Sequence, residues 1–218
     1  MSELFKKLQR SSASCMRRTV TSRSPSVLRR WNDPAIEAAV WARCWTPDAV
    51  CSLDRFPCAD MPTVVFRTSA AEAEIDVSTA LSEAAEHLES CACALGALAL
   101  DIESLIVRFS RVTGANDVEV TLEATCDDAP TPFRVALARS CLLTTYVGAT
   151  PEWVPHTHVV QAVQMQRRYS GPRFQMPRFG VSIVRGMRSG AGALVYRSPA
   201  NSPGTPGRLS LQLTEIER

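Results

Sequence analysis

The sequence predicts an α+β fold, with a helical layer in the N-terminal half followed by a β-sandwich or jelly-roll-like half. Two observations lead to this prediction. Between residues 78 and 112, apolar residues recur every three or four positions, which is typical of one face of a long helix. From residue 117 onwards, apolar and polar residues alternate between Gly and Pro turns, which is typical of short strands.

The first 30 residues differ in composition from the rest of the chain. They carry eight Lys or Arg against one acid, Glu3, and they are rich in Ser. Such a composition is typical of a chain that cannot bury a core. We therefore expect a basic disordered tail over residues 1–30 and a single α+β domain over residues 31–218.

The predicted elements follow in order along that domain. In the stretch WNDPAIEAAVWARCW, an Asn or Asp cap precedes Pro34, and the apolar spacing predicts a helix. One long helix is expected near 78–112, with Ser78 as its cap and Gly114 as its end. The strands are predicted at 63–68, 117–124, 134–138, 140–147, 159–165, 180–185, 193–196 and 209–213.

Composition excludes some classes of function. No run of residues approaches the roughly 20 apolar positions of a membrane helix, so no membrane partner is expected and we predict a cytoplasmic location. The eight cysteines contain no C-x-x-C pair, and we interpret them as reduced thiols rather than a zinc site.

Charge is distributed unevenly along the chain. Residues 153–214 contain eight Arg and no acid. These cations either neutralise the acidic middle of the chain within the fold or form a basic face for an anionic partner. A small anion or an acidic protein is the expected partner, and nucleic acid is the less favoured one, because no nucleic-acid motif is present.

Three segments resemble the bacterial domain-of-unknown-function family numbered 1826, namely DDAPTPF, LLTTYVGATPEWVP and ALVYRSPANSPGTPGRLSLQL. The family pattern has Phe-His-x-Asp, then Leu-Leu-x-Thr-Tyr-x-Gly, a Glu-Trp pair, and later His-Arg-Ser-Pro followed by Arg-Leu. The resemblance covers about residues 31 to 214 and is better in the second half. It rests on Thr145, Tyr146, Gly148, Glu152, Trp153, Arg197, Ser198, Pro199 and Arg208.

The family pattern implies chemistry that this chain does not repeat. His-x-Asp with a distant His is a ligand set that suits non-haem Fe(II), and an Arg about a dozen residues later is where similar oxygenases hold a 2-oxo acid. Here Arg134 and Ala136 stand at the His and Asp positions, and Tyr196 stands at the distal His. The resemblance therefore implies a degraded metal site, with no cofactor expected unless Fe or Zn is held elsewhere.

We interpret the remaining matched residues as candidates for a pocket. Arg side chains lining an emptied metal cavity would favour a carboxylate or a phosphate. Tyr146, Glu152 and Trp153 could instead be turn and core residues. The pocket candidates are Arg134, Tyr146, Glu152, Trp153, Tyr196, Arg197 and Arg208.

A separate metal hypothesis concerns His156 and His158. Two His one residue apart on a strand would point the same way and could chelate a metal. They could equally be a surface pair.

Taken together, these features predict a non-catalytic binding or accessory protein with a degraded metal site, tied by the resemblance to metal homeostasis. A first alternative is a metal-dependent, oxygenase-like enzyme that uses His156 and His158. A second alternative is binding of an anionic partner or nucleic acid through the Arg-rich C-terminal third.

Overall fold

The structure is a computed structural model and describes residues 18–86, 88, 91–126, 129–190, 192–201 and 207–216. Its strands are β1 Arg18–Ser22, β2 Ile36–Trp41, β3 Val64–Ser69, β4 Asp117–Thr125, β5 Ser140–Val147, β6 Glu152–Trp153, β7 Phe174–Gln175, β8 Val181–Arg185, β9 Tyr196–Arg197 and β10 Arg208–Ile216. Its α-helices are α1 Pro47–Asp54, α2 Ala73–Ala84, α3 Ala92–Thr113 and α4 Val159–Met165. Short 3-10 helices span Pro25–Asn32, His156–His158, Gln166–Arg168 and Met187–Ser189.

The strands form one large and one small sheet. The large sheet has seven strands in the order β1-β2-β8-β5-β10-β4-β3, and the small sheet has three in the order β7-β6-β9. Strands β1 and β2 pair in parallel, and the other pairs are antiparallel. An isolated antiparallel bridge joins Arg134 to Tyr196 and so extends the small sheet beyond β9.

Each face of the large sheet buries a different set of side chains. On one face, Leu209, Leu211 and Leu213 of β10 pack in the main core with the apolar stripes of α2 and α3. On the other face, Cys141 and Leu143 pack against residues of the small sheet and its neighbours. The molecule is thus a mixed α/β fold in which helices cover one face of the large sheet and the small sheet covers part of the other.

The single helix predicted near 78–112 is wrong, because two helices occupy this region. α2 ends at Ala84, α3 begins at Ala92, and turns closed by backbone hydrogen bonds at Leu88 and Cys91 lie between them. Leu88 is buried within this turn. The apolar residues therefore keep a helical spacing across the turn between α2 and α3. The spacing indicates which residues are buried and does not show that the helix is continuous. Gly114 ends α3 in a left-handed conformation, as predicted.

The helix predicted in WNDPAIEAAVWARCW is also wrong. Residues Ile36–Trp41 form β2, which lies between β1 and β8 and is almost wholly buried. A strand covered on both faces lacks alternation, and its apolar run cannot be distinguished from a helix by periodicity. The N-terminal helical layer is therefore not confirmed, because β1, β2 and β3 precede or interleave with the helices and belong to the large sheet.

Five of the predicted strands are confirmed by β3, β4, β5, β8 and β10, and the predicted strand at 193–196 is represented by the short β9. The strand predicted at 159–165 is wrong, because Val159–Met165 is helix α4. The strand predicted at 134–138 is reduced to the bridge at Arg134.

The predicted basic tail is only partly within the described residues. Residues 1–17 lie outside them. Residues 18–30 contain β1 and most of a 3-10 helix whose Val27 and Leu28 are buried in the main core. Ordered structure therefore begins before the predicted boundary at residue 31. None of the helices in the described part of the chain has the length and apolarity to cross a membrane.

One carboxylate, on a side chain that is 13% exposed, joins the long helix to the large sheet. Asp101 of α3 forms an ion pair with both terminal nitrogens of Arg43, with 2.7 Å between Nη2 and Oδ2. The hydroxyl of Tyr146 on β5 donates to the same carboxylate at 2.8 Å. Burial raises the pKa of Tyr146 well above its usual value, with the charge of Asp101 adding to this, so the hydroxyl keeps its proton.

We expect Asp101→Asn to lower the free energy of unfolding by about 3–5 kcal/mol, because it leaves the buried Arg43 guanidinium without its counter-ion. The measurement is urea unfolding followed by circular dichroism. Glu103→Gln on the same helix is the control, and it should change stability by no more than about 0.5 kcal/mol. Equal effects of the two substitutions would show that the Asp101 ion pair does not hold α3 in place.

Stability should also fall at alkaline pH because of Cys141. Burial raises the pKa of Cys141 to about 12, with Thr214 and Arg134 partly opposing this, whereas an unfolded thiol titrates near about 8.5. Between these values the folded state binds more protons than the unfolded state, so stability is lost as pH rises. Under reducing conditions, Cys141→Val should lose about 2 kcal/mol less than the unsubstituted protein between pH 7.5 and pH 10. Parallel losses in the two proteins would contradict this.

Candidate small-molecule site between the two sheets

A cavity of about 170 Å³ lies on the face of the large sheet that is turned away from the helices. The large sheet contributes residues of β4, β5 and β10, and Arg134, Tyr196 and Ser198 contribute the opposite wall. Its lining residues are Thr121, Glu123, Arg134, Leu143, Thr144, Pro151, Tyr196, Ser198, Ser210, Leu211 and Gln212.

Strand register places the polar side chains of β4 and β10 on this face. Thr121 pairs with Gln212, and Glu123 pairs with Ser210. The intervening pair, Leu122 and Leu211, is buried in the helix-side core. Because successive residues of a strand point to opposite faces, these polar residues form the floor of the cavity.

Arg134 supplies a positive charge at the cavity wall. Its backbone exchanges two hydrogen bonds with Tyr196, of 2.8 and 3.0 Å between N and O. Its guanidinium carbon lies 5.7 Å from the centre of the Tyr196 ring. Within the described part of the chain, Arg134 forms no ion pair with a carboxylate. The backbone bridge and the side chain of Tyr196, which also accepts a hydrogen bond from the guanidinium, hold this charge at the wall. The remaining N–H donors of Arg134 can bind a ligand.

Tyr196 is buried beside Arg134 and remains uncharged. Burial raises its pKa well above the usual value, and the nearby Cys141 adds to this, while Arg134 acts in the opposite direction. Its phenol can therefore donate or accept a hydrogen bond without acting as an anion at neutral pH.

Two threonine hydroxyls of β5 lie close to this region without partners. Oγ1 of Thr144 and Oγ1 of Thr145 are buried and have no hydrogen-bond partner among the residues that the structure describes. Thr145 pairs with Ser210, so its side chain is on the cavity face of the sheet. Thr144 instead pairs with Leu211, and its side chain is on the helix face. An unpaired buried hydroxyl costs about 1–3 kcal/mol, which favours a bound water near it.

Several of the predicted pocket residues have structural roles elsewhere. Tyr146 lies on the helix face, in the contact with Asp101 described above. Glu152 and Arg197 form a buried ion pair with 2.5 Å between Oε1 and Nε, which joins β6 to β9. Arg208 is buried and donates from Nη1 to the carbonyl oxygen of Pro199 at 2.9 Å.

Trp153 and His156 line a different groove, of about 580 Å³, at the side of the molecule. Trp153 lies there beside Phe174, with 6.0 Å between their ring centres. The structure therefore brings Arg134 and Tyr196 together in the cavity, and the other pocket candidates do not line it.

The predicted arrangement of His156 and His158 is wrong. They lie in a 3-10 helix and not on a strand. With three residues per turn, side chains two positions apart point about 120° away from each other. His158 faces Gln161, with 3.4 Å between Nδ1 and Oε1.

The residues present at the cavity do not fit a metal. The three positions at which the resemblance implies metal ligands hold Arg134, Ala136 and Tyr196, and a guanidinium repels a cation while alanine has no donor atom. Among the described residues, no group of three or more His, Cys, Asp or Glu could hold a metal ion.

Several arginines of the C-terminal third have partners within the chain. Arg178 pairs with Asp54 at 2.5 Å and Arg173 with Glu152 at 3.5 Å. Arg185 is buried and donates to the carbonyl oxygens of Trp31, Asp33 and Ile36. These residues neutralise or cap other parts of the chain, which supports the first interpretation of the charge asymmetry.

Sequence reasoning missed the residues of β4 and β10 that form the cavity floor. Thr121, Glu123, Ser210 and Gln212 are the polar half of two alternating strands, and such residues are ordinarily assigned to solvent. The alternation of β4 and β10 shows which residues share this face of the sheet. It does not show that the face is covered, because the strands of the covering sheet are only two residues long.

Comparisons with solved structures find oxygen-dependent enzymes. The dioxygenase for auxin oxidation 1 of Arabidopsis thaliana, in its complex with 2-oxoglutarate, has 8% identity, coverage of 93% of both chains and a TM-score of 0.49. A prolyl-4-hydroxylase of Pseudomonas putida has 12% identity, coverage of 88% of this chain and 98% of its own, and a TM-score of 0.45. A Caulobacter crescentus protein, assigned to the 2OG-Fe(II) oxygenase family, has 9% identity, coverage of 93% of this chain and 87% of its own, and a TM-score of 0.39.

These comparisons contradict the prediction of a non-catalytic binding or accessory protein with a degraded metal site, because the similar structures carry the names of oxygenases and a hydroxylase. At such identities the likeness concerns the fold alone. No curated protein matches the chain.

The family is shown by sequence. A sequence model described as "Protein of unknown function (DUF1826)" matches residues 22–214, which is most of the chain. This range contains every residue that lines the cavity and all the motif residues on which the resemblance rests. The chain therefore belongs to the family of proteins of unknown function numbered 1826.

Proposed function

We propose that the cavity between the two sheets is a substrate site for a small organic acid, whose carboxylate is bound by Arg134. The observation that carries this proposal is the position of the Arg134 guanidinium at the cavity wall, without a carboxylate partner among the described residues. A planar guanidinium binds a carboxylate through two parallel N–H donors, and such charged hydrogen bonds are among the stronger ones in proteins.

The size of the cavity supports a small ligand. A cavity of about 170 Å³ suits an acid of a few carbon atoms.

The polarity of the cavity narrows the class of acid. Glu123 lines the same space and would repel a second carboxylate placed beside it. Thr121, Ser210 and Gln212 instead offer hydrogen bonds to neutral oxygen atoms. We therefore propose an acid with one carboxylate and further hydroxyl or oxo groups.

We further propose that the fold is a jelly-roll-like sandwich, with the site between its two sheets. The Arg134 bridge adds a fourth strand position to the small sheet, beside β9. Side chains from both sheets meet in one apolar cluster, which includes Cys141 and Leu143 on one side and Trp153 and Tyr196 on the other. This arrangement supports two facing sheets with a cavity between them.

A second candidate function is that of a metal-dependent oxygenase-like enzyme, the class named by the similar structures. Glu123 is the one carboxylate among the described lining residues, and the family ligand positions are occupied by other residue types. Such an enzyme would therefore hold its metal differently from the family pattern. We derive no metal-dependent step for this chain.

The first proposal predicts that small hydroxy or oxo acids, such as lactate, glycolate or pyruvate, raise the melting temperature. Arg134→Gln should weaken binding, measured by calorimetry, by about tenfold to a hundredfold, since a charged hydrogen bond contributes about 1.5–3 kcal/mol. Arg168→Gln, an exposed arginine on the 3-10 helix Gln166–Arg168, is the control and should bind as the unsubstituted protein does.

Two outcomes would count against this proposal. Binding that survives Arg134→Gln would place the acid elsewhere, and stabilisation by inorganic phosphate but by none of the acids would identify a different anion. If the variant unfolds, Arg134→Lys keeps the charge but loses the planar fork, and intermediate binding is then expected.

Elemental analysis of untagged protein distinguishes the two candidate functions. After incubation with Fe(II) or Zn(II) and desalting, the first proposal predicts well under one metal per chain, because the described residues offer no ligand set. Near-stoichiometric metal that is lost in Glu123→Gln, but retained when His156 and His158 are both replaced by Gln, would favour the oxygenase-like function at the cavity.

A further inference from the structure

Two cysteines from distant parts of the sequence meet at Gly207. A Cβ atom built on Gly207 would lie 3.0 Å from Cβ of Cys58 and 3.1 Å from Sγ of Cys126. Those two atoms are therefore no more than about 6 Å apart, which is within reach of a disulfide after rotation of the side chains. Both residues carry free thiols in this structure.

Gly207 is necessary for this meeting. Its φ of +103° is in the left-handed region, and the carbonyl oxygen of Thr125 lies 2.8 Å from the same hypothetical Cβ. A side chain at residue 207 would be strained and would occupy the space between the two thiols. The chain therefore leaves room at this point for Cys58 and Cys126 to approach each other.

The two thiols differ in environment. Cys58 is 2% exposed and follows helix α1, whereas Cys126 is exposed and directly follows β4. Burial raises the pKa of Cys58 to about 11, and Cys126 is the charged group that adds to this rise. Of the two, Cys126 is thus the accessible nucleophile and Cys58 is the protected one.

We propose that Cys58 and Cys126 form a reversible disulfide when the protein meets a low-molecular-weight disulfide such as oxidised glutathione. Such a bond would tie the segment that follows α1 to the end of β4, the strand that carries Thr121 and Glu123 into the cavity. The inference does not depend on the ligand proposed for that cavity.

The exchange proceeds in two balanced steps. The Cys126 thiolate attacks one sulfur of oxidised glutathione, forms a mixed disulfide and releases one glutathione thiolate. The Cys58 thiol then loses its proton and attacks the Cys126 sulfur, which displaces the second glutathione. Two protein thiols are oxidised to one disulfide, and one glutathione disulfide is reduced to two thiols.

The second step should depend strongly on pH. At neutral pH only a small fraction of Cys58 is thiolate, because its pKa is raised by burial. Below that pKa, the rate of conversion from mixed disulfide to protein disulfide should rise by about tenfold per pH unit. With an ordinary exposed thiol as the attacking group, this rate would instead stop rising above about pH 8.5.

The full-length chain, incubated with oxidised glutathione, quenched with an alkylating agent and digested without reduction, provides the test. We expect mass spectrometry to detect a peptide pair joined through Cys58 and Cys126, and dithiothreitol to release it. The cross-link should form in Cys93→Ser, where another exposed cysteine is removed, and be absent from Cys126→Ser. In Cys58→Ser, the mixed disulfide at Cys126 should accumulate.

Thermal unfolding gives a second measurement. The bond would close a long loop of the chain, so the oxidised protein should melt at a temperature higher by about 5 °C or more. The proposal is overturned if Cys126 ends as a stable mixed disulfide in the unsubstituted protein, or if it cross-links to a cysteine other than Cys58.

Discussion

The carboxylate of Asp101 is the point at which the helical side of this protein is joined to its sheet. It receives the guanidinium of Arg43 and the hydroxyl of Tyr146, and these three side chains come from a loop, a helix and a central strand. Trp45 packs against the ring of Tyr146 and stacks on Phe179, which shields the ion pair from water. A charge buried in this way is tolerated only when its partners are held in place, so the packing of α3 and the position of β5 depend on each other.

The packing of α3 against β5 also affects the cavity, because β5 contributes residues to both faces of the large sheet. Tyr146 points to the helix side, while Thr145 and Leu143 point to the small sheet. The cavity is therefore built on a strand whose other face is fixed by a buried polar network. Its charge comes from Arg134, at the position where the family pattern has a histidine. A guanidinium at this position can bind an anion through its N–H donors.

Several residues that support the family resemblance prove to be structural. Glu152 and Arg197 join two very short strands by a buried ion pair. Gly148 has a φ of +79°, and a Cβ there would collide with the carbonyl oxygen of Gly207. The motif segments around these two glycines must pack backbone against backbone, and this contact brings the start of β10 beside the end of β5. The same crowding places Cys58 and Cys126 together.

The sequence by itself determined β4 and β10, because burial on one face leaves a period of two in their residue types. It located β3, β5 and β8 as short β-branched or apolar runs between turn residues, and its motif residues determined the family. It also singled out Arg134 and Tyr196. Tertiary structure decided the rest. β2 is buried on both faces and so has no period, and a buried turn preserves the apolar spacing between α2 and α3. Polar residues of β4 and β10 became a cavity floor only because a second sheet covers them, and no local pattern records which face another segment will cover.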